Sequence, residues 1–231
     1  DLFRLAYLCL GHIRGGLAMA AIAANVGFAV LSGSSTAAAA AMSRISMPEM
    51  RRYGYDESFA LGVIAIGGTL SIMIPPSLSL ILYGVLTETS IGKLFLAGVV
   101  PGLVTVVGYL ITIWVLVKRR PEIAPATERF PMRERLQAVP RVWPALVLVF
   151  LVLGGIYSGA ITATEAAAVG AAGALVISVA IGGLRARGLN EALTATLRTT
   201  CMIFAIIIGA MIFSYFLAIA QIPQTLVTWV G

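Results

Sequence analysis

Apolar residues run along this chain in long blocks separated by short polar interruptions. Residues 12–31 are apolar and rich in Gly and Ala; residues 34–48 are Ala-rich and end in SMPEMRR. Residues 58–87 form a long apolar stretch broken by GGTLSIMIPPS, and residues 91–117 are strongly apolar up to Lys118-Arg119-Arg120. A polar stretch at 121–140 carries Pro121, Pro125, Pro131 and Pro140. Apolar blocks return at 142–158, 163–184 and 199–220, the last followed by QIPQ. A helix needs roughly 20 apolar residues to cross a bilayer. The blocks 91–117, 142–158 (narrowly), 163–184 and 199–220 meet that length, whereas 34–48 has the length of a re-entrant arm.

Two interruptions carry the chemistry. The first, SGSST at 32–36, makes 12–31 and 34–48 the two arms of a hairpin with SGSS near its tip. One ordinary crossing followed by a soluble helix is the competing reading. Placing the 119–141 linker in the cytoplasm together with a hairpin over 12–48 puts 15 of the 16 basic residues inside, with only Lys93 outside. A full crossing by 12–31 would separate Arg4 and Arg14 from Arg51 and Arg52. Because cytoplasmic loops collect Lys and Arg, the hairpin is favoured, with a thin second span over 34–48 left open.

The second interruption combines Gly67-Gly68, which give a helix little support, with Pro75-Pro76, which remove two backbone donors. A helix entering at Ser58 is expected to unwind near Gly67 and restart after Pro76, with Ser77 capping the restart. Unwound backbone at membrane depth must line a cavity or be buried in protein. Secondary transporters use such discontinuous helices to build substrate and ion sites. A proline kink that only shapes packing is the plainer alternative for one break; two neighbouring breaks favour a site.

Composition agrees. The 231 residues are 59% hydrophobic and 11% charged, and the mean hydropathy is +0.98; soluble domains average about 25% charged residues. This is the profile of an integral membrane protein. With no starting Met, no signal peptide and an apolar end at Val230-Gly231, a fragment of a longer membrane protein is expected. The net charge of +6 does not indicate nucleic-acid binding, because the basic residues sit between apolar segments. Arg51-Arg52 and Lys118-Arg119-Arg120 read as orientation signals, and Glu49 as a partner for Arg51 or Arg52 or as a cap for the short helix.

Cys9 and Cys201 lie far apart, there is no CxxC, and His12 is the single histidine, so a soft-metal cluster is not expected. His12 reads as an interfacial or capping residue. Hydroxyl and carbonyl oxygens fill both interruptions and carboxylates are absent from them, which favours Na⁺ over a transition metal or a carboxylate proton relay. Glu165 fits a capping box with Thr162. Asn25 is expected to bond across to a neighbouring helix, with a place on a substrate pathway as the alternative. Ala37 to Ala41 should let the hairpin sit tightly on the broken helix. No Ser/His or Asp/Asp pair is placed for catalysis, so an enzyme is not expected.

The segments GGLAMAAIAANVGFAVLSGSSTA, MPEMRRYGYDESFALGVIAIGGTLSIMIPPSLSLILYG, TSIGKLFLAGVVPG and YSGAITATEAAAVGA, in this order, resemble the large membrane subunit of tripartite ATP-independent periplasmic (TRAP) transporters over about Gly11 to Gly231. The resemblance implies an all-α polytopic membrane protein with an elevator-type ion-transporter fold. That fold has two inverted repeats, each with a re-entrant helical hairpin and a broken helix. Residues 1–118 would hold the first repeat's hairpin (12–48), broken helix (58–87) and helix 91–117; residues 119–141 would be a cytoplasmic linker, and 142–231 would open the second repeat.

The resemblance further implies a multi-pass subunit of the bacterial inner membrane that imports organic acids, such as C4-dicarboxylates or sialic acid, on a sodium gradient. A small membrane subunit and a periplasmic substrate-binding protein would be its partners. Beyond the coupling ion no cofactor is implied. By motif position, one sodium site would draw on Ser32, Gly33, Ser34, Ser35, Gly67, Gly68, Thr69, Ile72 and Pro75. Ser34, Ser35, Thr36 and Ser77 would face the substrate carboxylate. Ser71 departs from the family's usual glycine, and is expected to stiffen the break and add a hydroxyl ligand. A two-component dicarboxylate symporter without a binding protein, and a non-transporting scaffold subunit, are the alternative functions.

Overall fold

The computed structural model describes residues 2–126, 134, 142–221 and 228–229. These residues are helical and contain no strand. The helices are α1 (Leu2–Leu10), α2 (Gly16–Ser32), α3 (Ser35–Arg52), α4 (Glu57–Met73), α5 (Leu78–Leu86), α6 (Ile91–Arg119), α7 (Trp143–Tyr157), α8 (Ala163–Ala180) and α9 (Ala186–Ile219), with a 3₁₀ turn at Pro121–Ile123. Most of the expected 119–141 linker, and the residues after Gln221 in QIPQ, lie outside the described residues. The chain divides into two compact units, Asp1–Ala174 and Leu175–Gly231.

The core of the first unit is built on α2, α3 and α4. Leu17, Ala21, Ile22 and Ala24 of α2 are buried with Met42 and Met50 of α3 and with Val63, Ile64 and Leu70 of α4. The helices α2 and α4 run in the same direction. At one end the Leu17 N–H donates to the Tyr55 hydroxyl at 3.2 Å; at the other Gly33 meets Pro76. Between these ends, a Cβ on Gly67 would come within 2.3 Å of Asn25 Nδ2. The returning helix α3 lies on the next face of α4, where a Cβ on Gly68 would meet Ala39 Cβ at 2.9 Å and the Ser35 carbonyl oxygen at 3.0 Å. The alanine run thus has the expected consequence: it brings two backbones close together.

Several boundaries differ from the sequence expectations. The α4 helix does not unwind near Gly67; it is regular to Met73. Helix α3 does not end near residue 48 but continues through Pro48 to Arg52. Arg51 pairs with Glu57 rather than with Glu49. At 15 residues α7 is about 22 Å long, short for a bilayer whose hydrocarbon core is about 30 Å thick. The last block starts well before residue 199, because a more polar helical segment from Ala186 is continuous with it. Among the described residues, four helical stretches are long and apolar enough to cross a membrane: Glu57–Leu86, Ile91–Arg119, Ala163–Ala180 and Ala186–Ile219. With that profile and its composition, this is a polytopic all-α membrane protein.

Helix α8 begins with the capping box its sequence indicates. Glu165 Oε2 accepts from the Thr162 N–H at 2.7 Å and from its hydroxyl at 2.9 Å, while the Glu165 N–H donates back to Thr162 Oγ1 at 3.3 Å. In the second unit, α9 satisfies its polar groups locally. The hydroxyls of Thr194, Thr196 and Thr199 donate to carbonyls one turn back, and Arg187 pairs with Glu191 at 3.2 Å.

Candidate functional site

The hairpin turns on two residues. Gly33 adopts φ +59°, a left-handed conformation that is cheap only for glycine, and its N–H donates to the Ala29 carbonyl at 2.8 Å to close α2. Ser34 is extended and starts α3: its Oγ accepts from the Ala37 N–H at 3.4 Å and lies 3.2 Å from the Thr36 hydroxyl. Ser32 Oγ donates to the Ser34 carbonyl at 3.5 Å. This is N-capping by a short polar side chain.

The second interruption spans Ile74 to Ser77, with a cis bond between Pro75 and Pro76. Position 75 has no N–H for the Ser71 carbonyl and position 76 none for the Ile72 carbonyl. Ser77 repairs one of these losses. It is buried, and its hydroxyl donates to the Ile72 carbonyl at 2.6 Å. It therefore does not cap α5 through its side chain, as expected from sequence. The first N–H of α5, that of Leu78, donates instead to the Gly33 carbonyl at 3.2 Å.

That bond joins the two interruptions. The amino ends of α3 and α5 start beside one shared contact, and a Cβ on Gly33 would come within 2.9 Å of the Pro76 carbonyl oxygen. Leu31 and Pro76, on either side of this junction, also line an apolar cavity of ≈ 340 Å³ together with Phe95 of α6, Leu153 of α7 and Ala167 of α8. Each helix amino end presents unsatisfied N–H groups and a partial positive charge. Around them stand neutral oxygens: the Gly33 and Pro76 carbonyls and the Ser34 and Thr36 hydroxyls. Among the described residues no group of three or more His, Cys, Asp or Glu could hold a metal ion. Such a donor set matches a hard monovalent cation and an anionic group at the helix ends.

The expected site residues do not all converge. Ser32, Gly33 and Ser34 form the turn, and Pro75 and Ser77 lie in the break. Ser35 opens α3, with its carbonyl against Gly68, and Thr36 is exposed beside Ser34. Gly67 and Gly68 are packing positions inside a regular helix. Thr69 is turned toward α6: its hydroxyl donates to the Ile66 carbonyl at 2.6 Å and lies 2.9 Å from the Tyr109 hydroxyl. The Ile72 carbonyl is occupied by Ser77.

Among the described residues, the buried side-chain oxygens of Asn25 and Ser71 lack partners. Asn25 Nδ2 donates to Ala21 within its own helix at 3.1 Å rather than across to a neighbour, and Asn25 Oδ1 is unbonded, as is Ser71 Oγ. Sequence reasoning missed the face of α6 that receives the break. A Cβ on Gly98 would meet the Met73 carbonyl oxygen at 2.8 Å, and one on Gly102 would meet Ile74 Cγ1 at 3.1 Å. Two glycines four residues apart in an apolar helix were the available signal.

Comparison with known proteins places the chain as a whole in a family. Residues 1–231 match the family described as the DctM component of tripartite ATP-independent periplasmic transporters. The chain is 43% identical over 230 residues to the C4-dicarboxylate TRAP transporter large permease protein DctM of Pseudomonas aeruginosa, covering 99% of this chain and 53% of that protein. It is 34% identical over 227 residues to the sialic acid TRAP transporter large permease protein SiaM of Vibrio cholerae, covering 97% and 52%. It is 34% identical over 226 residues to the ectoine/5-hydroxyectoine TRAP transporter large permease protein UehC of Ruegeria pomeroyi, covering 96% and 52%. The chain spans about half the length of these curated relatives.

Proposed function

The chain belongs to the DctM family of TRAP transporter large permeases, and from that premise we propose that it forms part of a sodium-coupled permease that imports an organic acid across the bacterial inner membrane. The observation that carries the proposal is the Leu78 N–H to Gly33 carbonyl bond, which gathers two helix amino ends and several neutral oxygens at one place. The amino ends of α3 and α5 favour a carboxylate, and the carbonyls and hydroxyls between them suit Na⁺. Ser32, Gly33, Ser34 and Pro75 are the residues of this chain nearest that role on the sodium side, with Ser34, Ser35 and Thr36 on the substrate side. Ser77 holds the break in shape.

In this reading residues 1–118 carry the hairpin and broken helix of one inverted repeat of an elevator-type fold, and 142–231 begin the other. A small membrane subunit and a periplasmic binding protein complete the system, as in the relatives' tripartite family. C4-dicarboxylates, named for a relative at 43% identity, are the first substrates to try. The test is uptake of a labelled C4-dicarboxylate into proteoliposomes holding the full-length permease, its small subunit and its binding protein. Uptake is expected only with an inward sodium gradient and only with the binding protein present. Uptake indifferent to sodium would overturn the coupling, and uptake without the binding protein would overturn the tripartite arrangement.

A further inference from the structure

The cluster Lys118-Arg119-Arg120 closes α6, and the loop between α1 and α2 brings Arg14 to the same place. Gly15 packs so closely on Val117 that a Cβ there would stand 2.9 Å from it, and the Gly15 N–H donates to the Ala124 carbonyl at 3.1 Å. The result is a pocket of ≈ 250 Å³ lined by Ile13, Arg14, Trp114, Val117, Lys118 and Pro121. It has two cations and no acidic residue in its wall. Among the described residues, the ion pairs are Arg51–Glu57 and Arg187–Glu191, and neither Arg14 nor Lys118 takes part in one. Lys118 Nζ sits 4.9 Å from the centre of the Trp114 ring. The carboxyl end of a helix repels anions, so an anion here depends on these side chains.

A second observation concerns the face of α6 that leads to this pocket. Val100, Leu103, Val104, Val107, Ile111 and Trp114 are all exposed and recur at helical spacing, ending at Lys118. They lie opposite the buried face of Phe95, Gly102, Ile113 and Val117. Val99, Val100, Leu103, Val104 and Val107 line a shallow apolar groove on the same side. From Val107 to Lys118 the helix rises about 16 Å, close to the hydrocarbon depth of one leaflet, about 15 Å. An indole beside a lysine at the end of such a stripe is the pattern of a membrane–water boundary.

We propose that this pocket binds the phosphate headgroup of an anionic phospholipid, with Arg14 and Lys118 as its cations, Trp114 as its wall and an acyl chain lying along the Val107–Trp114 stripe. The exposed apolar stripe from Val107 to Trp114 favours a lipid over free phosphate, since a free anion has no use for an apolar track. A basic residue near an anionic surface contributes roughly a fivefold gain in binding, and two about thirtyfold.

The test uses the full-length permease in mixed phosphatidylcholine membranes, with quenching of tryptophan fluorescence by brominated lipids; the Trp114→Phe protein isolates the Trp114 signal. Brominated phosphatidylglycerol is expected to compete for the Trp114 position about thirtyfold better than brominated phosphatidylcholine. The Arg14→Gln/Lys118→Gln protein should lose that preference, and the Arg14→Lys/Lys118→Arg protein should keep it, which separates charge from folding. Equal quenching by both lipids in the unmodified protein would overturn the proposal, as would unchanged preference in the double Gln variant. Displacement of the lipid by inorganic phosphate would make the pocket a free-anion site and would equally overturn it.

Discussion

Gly67-Gly68 and Pro75-Pro76 occupy the same apolar stretch, yet α4 passes through the first pair as regular helix and ends before the second. Each glycine lowers helix stability by about 1 kcal/mol relative to alanine. Here both glycines sit where α2 and α3 press closest, against Asn25 and Ala39, so the contacts they permit oppose that loss. Proline offers no such exchange: it deletes the N–H, and at Pro75 and Pro76 two carbonyls lose their helical partners together. Glycine pairs in this fold mark close approach, and proline pairs mark the break. The break is then finished from outside α4, by the Gly33 carbonyl of the hairpin.

Gly68→Ala should be the more damaging of two alanine substitutions in α4. Its Cβ would meet backbone at Ser35 and Cβ at Ala39, and neither can rotate away. A loss of about 1–3 kcal/mol is expected from overpacking. Gly62→Ala, in the same helix with nothing within 4 Å, should instead stabilise by up to about 1 kcal/mol. Thermal unfolding of the two purified variants separates these cases; equal effects would mean that the glycines act through helix propensity alone.

A smaller loss is expected at the break. Ser77→Ala removes the remaining partner of the Ile72 carbonyl, a cost of about 0.5–1.5 kcal/mol, the net worth of a typical hydrogen bond. Since Ser77 repairs the backbone, the variant should melt earlier while the apparent KM for substrate stays the same. A rise in KM without a change in melting would return Ser77 to the substrate side of the site.

An effect confined to alkaline pH concerns the far end of the α2–α4 pair. Burial pushes the Tyr55 hydroxyl up to about 12 from 10.0, against the lowering effect of its bond from Leu17. Above pH 10 the unfolded tyrosine ionises before the folded one, so stability is constant below pH 10 and falls between 10 and 12. Tyr55→Phe should remove that part of the alkaline fall, giving a shallower melting-temperature curve than the unmodified protein above pH 10. An identical curve would place the alkaline sensitivity elsewhere.

Much of this was legible in the sequence because membrane helices announce themselves as apolar blocks. The turn at Gly33 was legible too, since a glycine among small hydroxylated residues both permits the left-handed conformation and supplies the cap at Ser34. The errors have physical causes. Gly67-Gly68 looked like a break because propensity is local and packing is not. Ser77 looked like a cap because its position fitted, but the freed Ile72 carbonyl competes for the same hydroxyl. The start of α9 at Ala186 was missed because a search for apolar runs overlooks polar turns that extend a spanning helix.

The central claim is that the hairpin turn and the helix break act as one cation site. Gly33 and Gly54 provide the direct comparison: both have positive φ, +59° and +72°, but only Gly33 faces a carbonyl oxygen of the break. Alanine at either position costs roughly 1–2 kcal/mol of backbone strain. The measurement is the sodium-induced rise in melting temperature of the purified full-length permease. The account predicts that Gly54→Ala keeps the rise and Gly33→Ala loses it; a full sodium response in Gly33→Ala would contradict it.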